Sequence, residues 1–155
     1  MCTEISQQFF PQRFLPMRTM KERENKMKKK IAFVCVHNSC RSQIAEALGK
    51  HFLNDKFDFY SAGTMTKPQI NQDAVRLMKS LYNIDMEKTQ YSKTFDKIPN
   101  PDIAISMGCD VGCPFIGRDF DQNWGLKDPT GSNDNTFIEI IKEIETRVKA
   151  LKEQY

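Results

Sequence analysis

The segment from Ile31 to Ser42 restricts the fold of this 155-residue chain more than any other part of the sequence. A short apolar run ends at Cys35, a polar loop of residues 36–40 follows, and Arg41 and Ser42 open an amphipathic pattern typical of a helix. A buried strand that leads through a short loop into a helix is the usual opening of a parallel α/β unit. The segment therefore predicts a parallel sheet with Cys35 at the carboxyl end of a strand.

The same segment has the residue types that an oxyanion site needs. Backbone N–H groups of the loop and of the helix start can hold an anion, and Arg41 can bind two of its oxygens. This positive field favours the thiolate of Cys35, which becomes a nucleophile, and the Ser42 hydroxyl can donate a hydrogen bond to the sulfur. The predicted oxyanion-binding residues are Val36, His37, Asn38, Ser39, Cys40, Arg41 and Ser42. The alternative is an inert cysteine at a strand end.

Two parts of the chain differ in charge. Residues 1–30 contain 8 Lys or Arg and 3 Asp or Glu, whereas residues 31–155 contain 15 and 17, so the basic character belongs to the N-terminal part. We expect residues 1–29 to form a disordered or loosely docked extension and residues 30–155 to form a catalytic domain. No basic face interleaved with aromatic residues indicates nucleic-acid binding. No apolar run approaches the ~20 residues of a membrane span.

Apolar periodicity predicts four strands and three helices. The strands are expected at residues 30–36, 57–61, 102–107 and 121–124, and the helices at 41–53, 71–82 and from a start within 132–135 onwards. In the second helix, Ala74, Leu77, Met78 and Leu81 are expected to face inwards. Because strands alternate with helices, the predicted fold is α/β, with a parallel four-stranded sheet and helices on both faces. Ligands of such sheets bind beyond the carboxyl ends of the strands.

Several stretches resemble low-molecular-weight protein tyrosine phosphatases and their relatives, the thioredoxin-coupled arsenate reductases. They are residues 34–47, residues 60–64, and Trp124-Gly125 shortly before Asp128-Pro129. The resemblance covers about residues 30–150 and implies the low-molecular-weight tyrosine phosphatase fold. It also implies that Cys35 is the nucleophile, Arg41 the oxyanion ligand and Asp128 the general acid that protonates the leaving oxygen. A turn without function is the alternative for the Asp-Pro pair.

Two observations favour the reductase branch. Thr130-Gly131 follows the Asp-Pro pair, instead of the aromatic residues that usually line the substrate cleft of the phosphatases. In addition, Cys109 and Cys113 are available to supply the two electrons that arsenate reduction needs. The resemblance implies that Cys109 attacks the Cys35 adduct and releases arsenite, and that Cys113 takes over the disulfide and presents it to thioredoxin. The two cysteines are closer in sequence than in the best-known members.

Other interpretations stay open at this point. The runner-up is a protein tyrosine phosphatase or small-ester phosphatase that uses Cys35, Arg41 and Asp128. A non-catalytic phospho-ligand-binding or redox-sensing module is a third. Four cysteines in two short clusters could also form a zinc site, but their spacing differs from the usual zinc pairs. An odd total of five cysteines without an export signal favours reactive thiols.

The resemblance implies no organic cofactor and no required metal. In some of the reductases, a potassium ion lies beside the anion loop and is held by an Asn, a Glu, a Ser and an Asp. Asn38, Glu46 and Ser61 match three of these, whereas the aspartate position falls near Lys93, which cannot be a ligand. The expected partners are thioredoxin or another thiol reductant and an arsenate or phosphate-ester substrate. We expect a cytoplasmic monomer.

Overall fold

A computed structural model describes residues 28–108 and 115–155. Within them, four strands form one sheet: β1 (Lys29–Cys35), β2 (Phe57–Gly63), β3 (Ile103–Ser106) and β4 (Gln122–Asn123). The strand order is β2-β1-β3-β4, and every pair is parallel. Because all four strands run in the same direction, their carboxyl ends meet at one edge of the sheet.

In the same described residues, three α-helices connect or follow these strands: α1 (Arg41–Leu53), α2 (Gln72–Tyr82) and α3 (Asp134–Gln154). Two short 3₁₀ turns cover Met86–Lys88 and Phe95–Lys97. The Asn71 side chain caps α2 by accepting from the Ala74 amide, and the Asn133 side chain caps α3 by accepting from the Thr136 amide. These caps satisfy N–H groups that have no partner within their own helix, and so determine where the two helices begin.

The core lies around β1 and α1. Residues Ile31 to Val34 of β1 have no solvent-exposed surface, and their side chains alternate between the two sides of the sheet. Both faces of β1 are therefore covered. On one face, the ring of Phe33 stacks on Phe59 and contacts Trp124, with centroids 5.9 and 5.4 Å apart, respectively. Helix α1 packs against α3, and both belong to the same apolar core.

The predicted α/β fold with its four-stranded parallel sheet is confirmed. The strands differ from the prediction by one or two residues at their ends; β2 continues to Gly63. The inward position of Leu81 is wrong. This residue lies in the last turn of α2, just before the left-handed Asn83 that ends the helix, and 37% of it stays exposed.

Within the described residues, no helix combines the length and the apolar character that crossing a bilayer requires. The predicted extension falls almost entirely outside the described residues.

Candidate active site

The loop of residues 36–40 joins the carboxyl end of β1 to the start of α1, as predicted. Cys40 is the N-cap residue of α1, yet its side chain makes no capping hydrogen bond, and the first turn contains no acidic residue. The first N–H groups of a helix carry a partial positive charge and need acceptors from outside the helix. This helix start is therefore suited to hold an anion.

The sulfur of Cys35 lies inside this loop. It is 2.8 Å from the Ser42 hydroxyl oxygen and accepts a hydrogen bond from the Asn38 amide at 3.2 Å. Only 5% of Cys35 is exposed. Two donors thus converge on a buried sulfur, and hydrogen bonds to a charged form stabilise that form. The arrangement is suited to a thiolate.

Asn38 holds the shape of the loop. Its backbone adopts a left-handed conformation with φ of 49°, which asparagine tolerates better than most residues. Its side-chain nitrogen donates to the Ser42 hydroxyl at 2.9 Å. Its side-chain oxygen accepts from the Lys93 amide at 3.0 Å and from the Gln43 side chain at 2.9 Å. Asn38 therefore connects the residues around the sulfur to a segment 55 positions further along the chain.

Neighbouring segments bind the carbonyl groups on the outside of the loop. The Val36 carbonyl accepts from the Met65 amide at 2.9 Å, and the Ser39 carbonyl accepts from the Asn71 amide at 2.7 Å. The His37 carbonyl accepts from the Ser92 hydroxyl at 2.8 Å. These bonds turn the carbonyl oxygens outwards, where they do not repel a bound anion.

Arg41 and Asp128 line the same cavity as the loop. The Arg41 guanidinium donates from Nη1 to the Leu126 carbonyl at 2.6 Å, a contact across 85 positions. The Leu126 amide in turn donates to the Met107 carbonyl at 2.9 Å, which anchors the segment before Asp128 to the end of β3. One oxygen of Asp128 accepts from the Thr130 amide at 3.0 Å and from the Thr130 hydroxyl at 2.7 Å.

The cavity measures about 190 Å³. It is lined by Cys35, Val36, His37, Ser39, Cys40, Arg41, Lys67, Asp128 and Thr130. Of the eight residues from Cys35 to Ser42 that the sequence predicted for the site, the structure brings six into one cavity together with Asp128, whereas Asn38 and Ser42 do not line it. Lys67 and Thr130 were missed. The contact of Thr130 could have been predicted, because an aspartate side chain often bonds to the residue two positions later in a turn. No local sequence pattern predicts that Lys67 lies in the cavity.

Two groups in the cavity have shifted pKa values. Desolvation acts to raise the pKa of Asp128, but the Thr130 hydroxyl and amide, Arg41 and Lys67 together outweigh it and hold the pKa below its usual value. Burial, with the nearby Asp128 carboxylate, raises the pKa of Cys40 to about 12. Cys40 is therefore a protonated thiol in the cavity wall, whereas Asp128 is ionised at neutral pH in the absence of an anion.

The three residues that resemble potassium ligands in the sequence, Asn38, Glu46 and Ser61, are not arranged to hold a cation in the structure. Glu46 accepts from the Ser61 hydroxyl at 2.5 Å through the same carboxylate oxygen that lies 3.5 Å from the Lys93 ammonium. The Asn38 oxygen already accepts from the Lys93 amide and from Gln43. A positive side chain thus occupies the place beside Glu46. Elsewhere among residues 28–108 and 115–155, His, Cys, Asp and Glu form no group of three that could hold a metal.

Cys109 and Cys113 lie outside the described residues, so the structure does not bring them to Cys35 or keep them from it.

Gln43 is a further residue that sequence reasoning missed. Its side chain nitrogen reaches the Asn38 oxygens and also the Tyr91 carbonyl at 3.0 Å, while its oxygen accepts from Gln90 at 2.7 Å. Its role depends on contacts about 48 positions away, which leave no local pattern.

Known proteins resemble this chain in sequence and in structure. The family described as low molecular weight phosphotyrosine protein phosphatase matches residues 30–155. An arsenate reductase of Bacillus cereus (strain Q1) is 37% identical over 131 residues, which make up 81% of this chain and 96% of the relative. A solved structure of an arsenate reductase in the phosphate binding state is 30% identical with a TM-score of 0.70 and covers 81% of this chain and 98% of that one.

A solved structure of a thioredoxin-dependent arsenate reductase from Corynebacterium glutamicum is 28% identical, with a TM-score of 0.62. The match covers 82% of this chain and 61% of that chain. The family match extends over the sheet from Lys30 onwards, the anion loop and the Asp128 segment. This chain is therefore a member of the low molecular weight phosphotyrosine protein phosphatase family.

Proposed function

We propose that this protein is a thiol-dependent arsenate reductase that uses Cys35, Arg41, Asp128, Cys109 and Cys113. The observation that carries the proposal is the relation between β1 and β3 at the active edge. Val34 pairs with Ser106, and the Met107 amide donates to the Val34 carbonyl at 3.0 Å. Cys35 follows Val34 by one position, and Cys109 follows Met107 by two positions. Each cysteine is therefore only one or two residues along the chain from a paired position at the ends of two neighbouring strands. Similarity to arsenate reductases over four fifths of the chain supports the same reaction.

In the first half of the reaction, arsenate occupies the cavity among the loop amides and Arg41. The Cys35 thiolate attacks arsenic and forms a sulfur–arsenic bond, while an arsenic–oxygen bond breaks. Asp128 donates the proton that lets this oxygen leave as water. The negative charge of the bound anion next to Asp128 raises the pKa of the carboxyl group and favours its protonated form. Ser42 stabilises the thiolate before attack.

In the second half, the thiolate of Cys109 attacks the sulfur of Cys35. The electron pair of the sulfur–arsenic bond goes to arsenic, which becomes arsenite, and a Cys35–Cys109 disulfide forms. Cys113 then attacks Cys109, which frees the Cys35 thiolate and leaves a Cys109–Cys113 disulfide. A dithiol reductant restores both thiols. Thioredoxin is the proposed reductant, a choice that the thioredoxin-dependent relative supports.

The test compares arsenate reduction, driven by thioredoxin and thioredoxin reductase, with p-nitrophenyl phosphate hydrolysis by the same purified protein. Cys109→Ser and Cys113→Ser should each block multiple turnovers of reduction and leave ester hydrolysis in place, because hydrolysis needs no electrons. Cys2→Ser serves as the matched control and should retain both activities. In the Cys113→Ser protein, arsenate should trap a Cys35–Cys109 disulfide. Reduction at the wild-type rate by both serine variants would refute the relay.

A phosphatase is the second candidate function. Cys35, Arg41 and Asp128 share one cavity, and these three residue types suffice to hydrolyse a phosphate ester through a cysteinyl-phosphate intermediate. In that reaction, Asp128 protonates the leaving alcohol and then activates water. Efficient cleavage of phosphotyrosine, combined with no arsenate reduction by any thiol donor, would favour this candidate.

A further inference from the structure

A buried ion pair lies next to the anion loop but does not line the cavity. Glu46 of α1 is 3% exposed and Lys93 is 8% exposed. The Lys93 ammonium lies 3.5 Å from one Glu46 oxygen and donates to the Tyr91 carbonyl at 3.1 Å. The Ser61 hydroxyl donates to the same Glu46 oxygen at 2.5 Å. The ammonium is thus held by a carboxylate and a main-chain carbonyl, and the Ser61 hydroxyl shares the carboxylate oxygen that the ammonium contacts.

The main chain of Lys93 is bonded to the loop that holds the nucleophile. Its amide donates to the Asn38 side chain at 3.0 Å, and its carbonyl accepts from the Gly63 amide at 2.9 Å. Asn38 donates to Ser42, and Ser42 lies 2.8 Å from the Cys35 sulfur. Three successive hydrogen bonds therefore connect Lys93 to the sulfur. The Lys93 main chain thus takes part in orienting the Asn38 side-chain amide.

The atoms around the ammonium are those that a hard cation also selects. Carboxylate, carbonyl and hydroxyl oxygens bind cations that prefer oxygen ligands. A buried carboxylate without a positive partner is costly, because its charge is not compensated by water. The other positively charged partner of Glu46 is Lys50, at 2.5 Å, but 40% of that side chain is exposed. Lys93 is thus the buried partner that neutralises Glu46.

We infer that Lys93 is a positioning residue whose tethered ammonium takes the place of a bound monovalent cation. It neutralises Glu46 and fixes residues 91–93 against the loop, so that the oxyanion cradle forms without an ion from solution. The inference rests on the proposed oxyanion chemistry of Cys35. It implies that removal of the ammonium, as in Lys93→Ala, leaves a cluster of oxygens that potassium can enter. The Lys93→Ala protein should then depend on potassium, whereas the wild type does not.

The experiment measures binding of inorganic phosphate to the full chain, as protection of Cys35 from iodoacetamide. Potassium chloride is compared with tetramethylammonium chloride at equal ionic strength, because the large organic cation cannot enter the cluster. In the wild type, protection should be the same in both salts. Lys93→Ala should bind phosphate about tenfold more weakly in tetramethylammonium, the order expected when a hydrogen-bonded charge is removed, and should recover in potassium.

Lys50→Ala is the matched control, since it removes the exposed partner of the same carboxylate. It should change phosphate binding by less than about twofold and show no potassium effect. The inference is overturned if the wild type needs potassium, if Lys93→Ala behaves like Lys50→Ala, or if potassium does not relieve the defect of Lys93→Ala. Failure of phosphate to protect the wild type would instead refute the proposed oxyanion chemistry.

A double variant covers the case in which Lys93→Ala does not fold. Glu46→Gln combined with Lys93→Met removes both charges and leaves no unpaired buried ion. Phosphate protection should be about tenfold weaker in both salts, because the ammonium no longer holds residues 91–93 and no carboxylate remains to attract potassium. Protection equal to that of the wild type would overturn the inference.

Discussion

The hydroxyl of Ser42 lies 2.8 Å from the sulfur of Cys35 and also accepts a hydrogen bond from the Asn38 side chain at 2.9 Å. Because the Asn38 nitrogen is only a donor, the Ser42 proton is directed away from it and towards the sulfur. Ser42 thus transmits the orientation of Asn38 to the nucleophile. All three residues are buried, with exposures of 0, 5 and 0% for Ser42, Cys35 and Asn38.

Ser42→Ala should lower kcat by about tenfold or more, since a hydrogen bond to a charged group contributes roughly 1.5–3 kcal/mol. The effect should be the same for arsenate and for p-nitrophenyl phosphate, because both reactions begin with attack by sulfur. Steady-state kinetics with both substrates test this, with Ser42→Thr as the variant that keeps the hydroxyl. Equal kcat values for Ser42→Ala and the wild type would show that the sulfur does not depend on Ser42.

Cys35 and Cys40 should differ sharply in their reaction with iodoacetamide, although each is 5% exposed. The Ser42 hydroxyl and the Asn38 amide face the Cys35 sulfur, whereas the pKa of Cys40 is raised to about 12 and its thiol stays protonated at neutral pH. Peptide mass spectrometry after brief labelling at pH 7 should find Cys35 modified and Cys40 unmodified. Preferential labelling of Cys40 would contradict the assignment of the nucleophile.

Asp128→Asn should reduce ester hydrolysis more for a poor leaving group than for a good one. Phenolate needs a proton from Asp128 when it leaves, whereas p-nitrophenolate leaves more readily without one. We expect a loss of kcat of about 100-fold with phenyl phosphate, the order of a general-acid contribution, and a smaller loss with p-nitrophenyl phosphate. The same fractional loss with both esters would argue against a general acid at this position.

Thr130→Val should shift the pH dependence of the reaction towards higher pH. The Thr130 hydroxyl helps to lower the pKa of Asp128, so its removal raises that pKa. A raised pKa keeps more of the Asp128 carboxyl protonated as the pH increases. The alkaline limb of the kcat/KM profile should therefore move to higher pH. Profiles of kcat/KM between pH 4 and 8 for both proteins measure the direction; Thr130→Ser, which retains a hydroxyl, should keep the wild-type limb. A shift of this limb to lower pH in Thr130→Val would contradict the conclusion that the Thr130 hydroxyl lowers the pKa of Asp128.

Gly63→Ala should disrupt the anion loop. A Cβ at this position would lie 2.6 Å from the Val36 carbonyl oxygen and 2.9 Å from the Asn38 amide nitrogen, both of which are backbone atoms of the loop. Overpacking of this kind costs about 1–3 kcal/mol. Gly49→Ala is a suitable control, because its Cβ would meet the Phe59 ring at 2.5 Å, away from the loop. Both variants should lose thermal stability, but only Gly63→Ala should lose phosphate protection of Cys35.

Local features of the sequence were enough to predict the strand, loop and helix around Cys35. The apolar run of β1, the polar loop and the amphipathic start of α1 are contiguous, so their pattern reflects interactions between near neighbours. The same holds for Asn71, which caps α2 through the Ala74 amide three positions away. The parallel direction of the strands followed from their alternation with helices.

What the sequence determined by itself is therefore the chemistry at the end of β1: a cysteine, an arginine and a helix start within one short segment. Only the tertiary structure decided which distant groups complete it. The Leu126 carbonyl beside Arg41, the Lys93 amide beside Asn38 and the Lys67 side chain in the cavity are all far from the loop in sequence. Their positions depend on strand order and on the paths of loops across the sheet edge. Such contacts join residues without any fixed spacing along the chain, so a periodic pattern cannot reveal them.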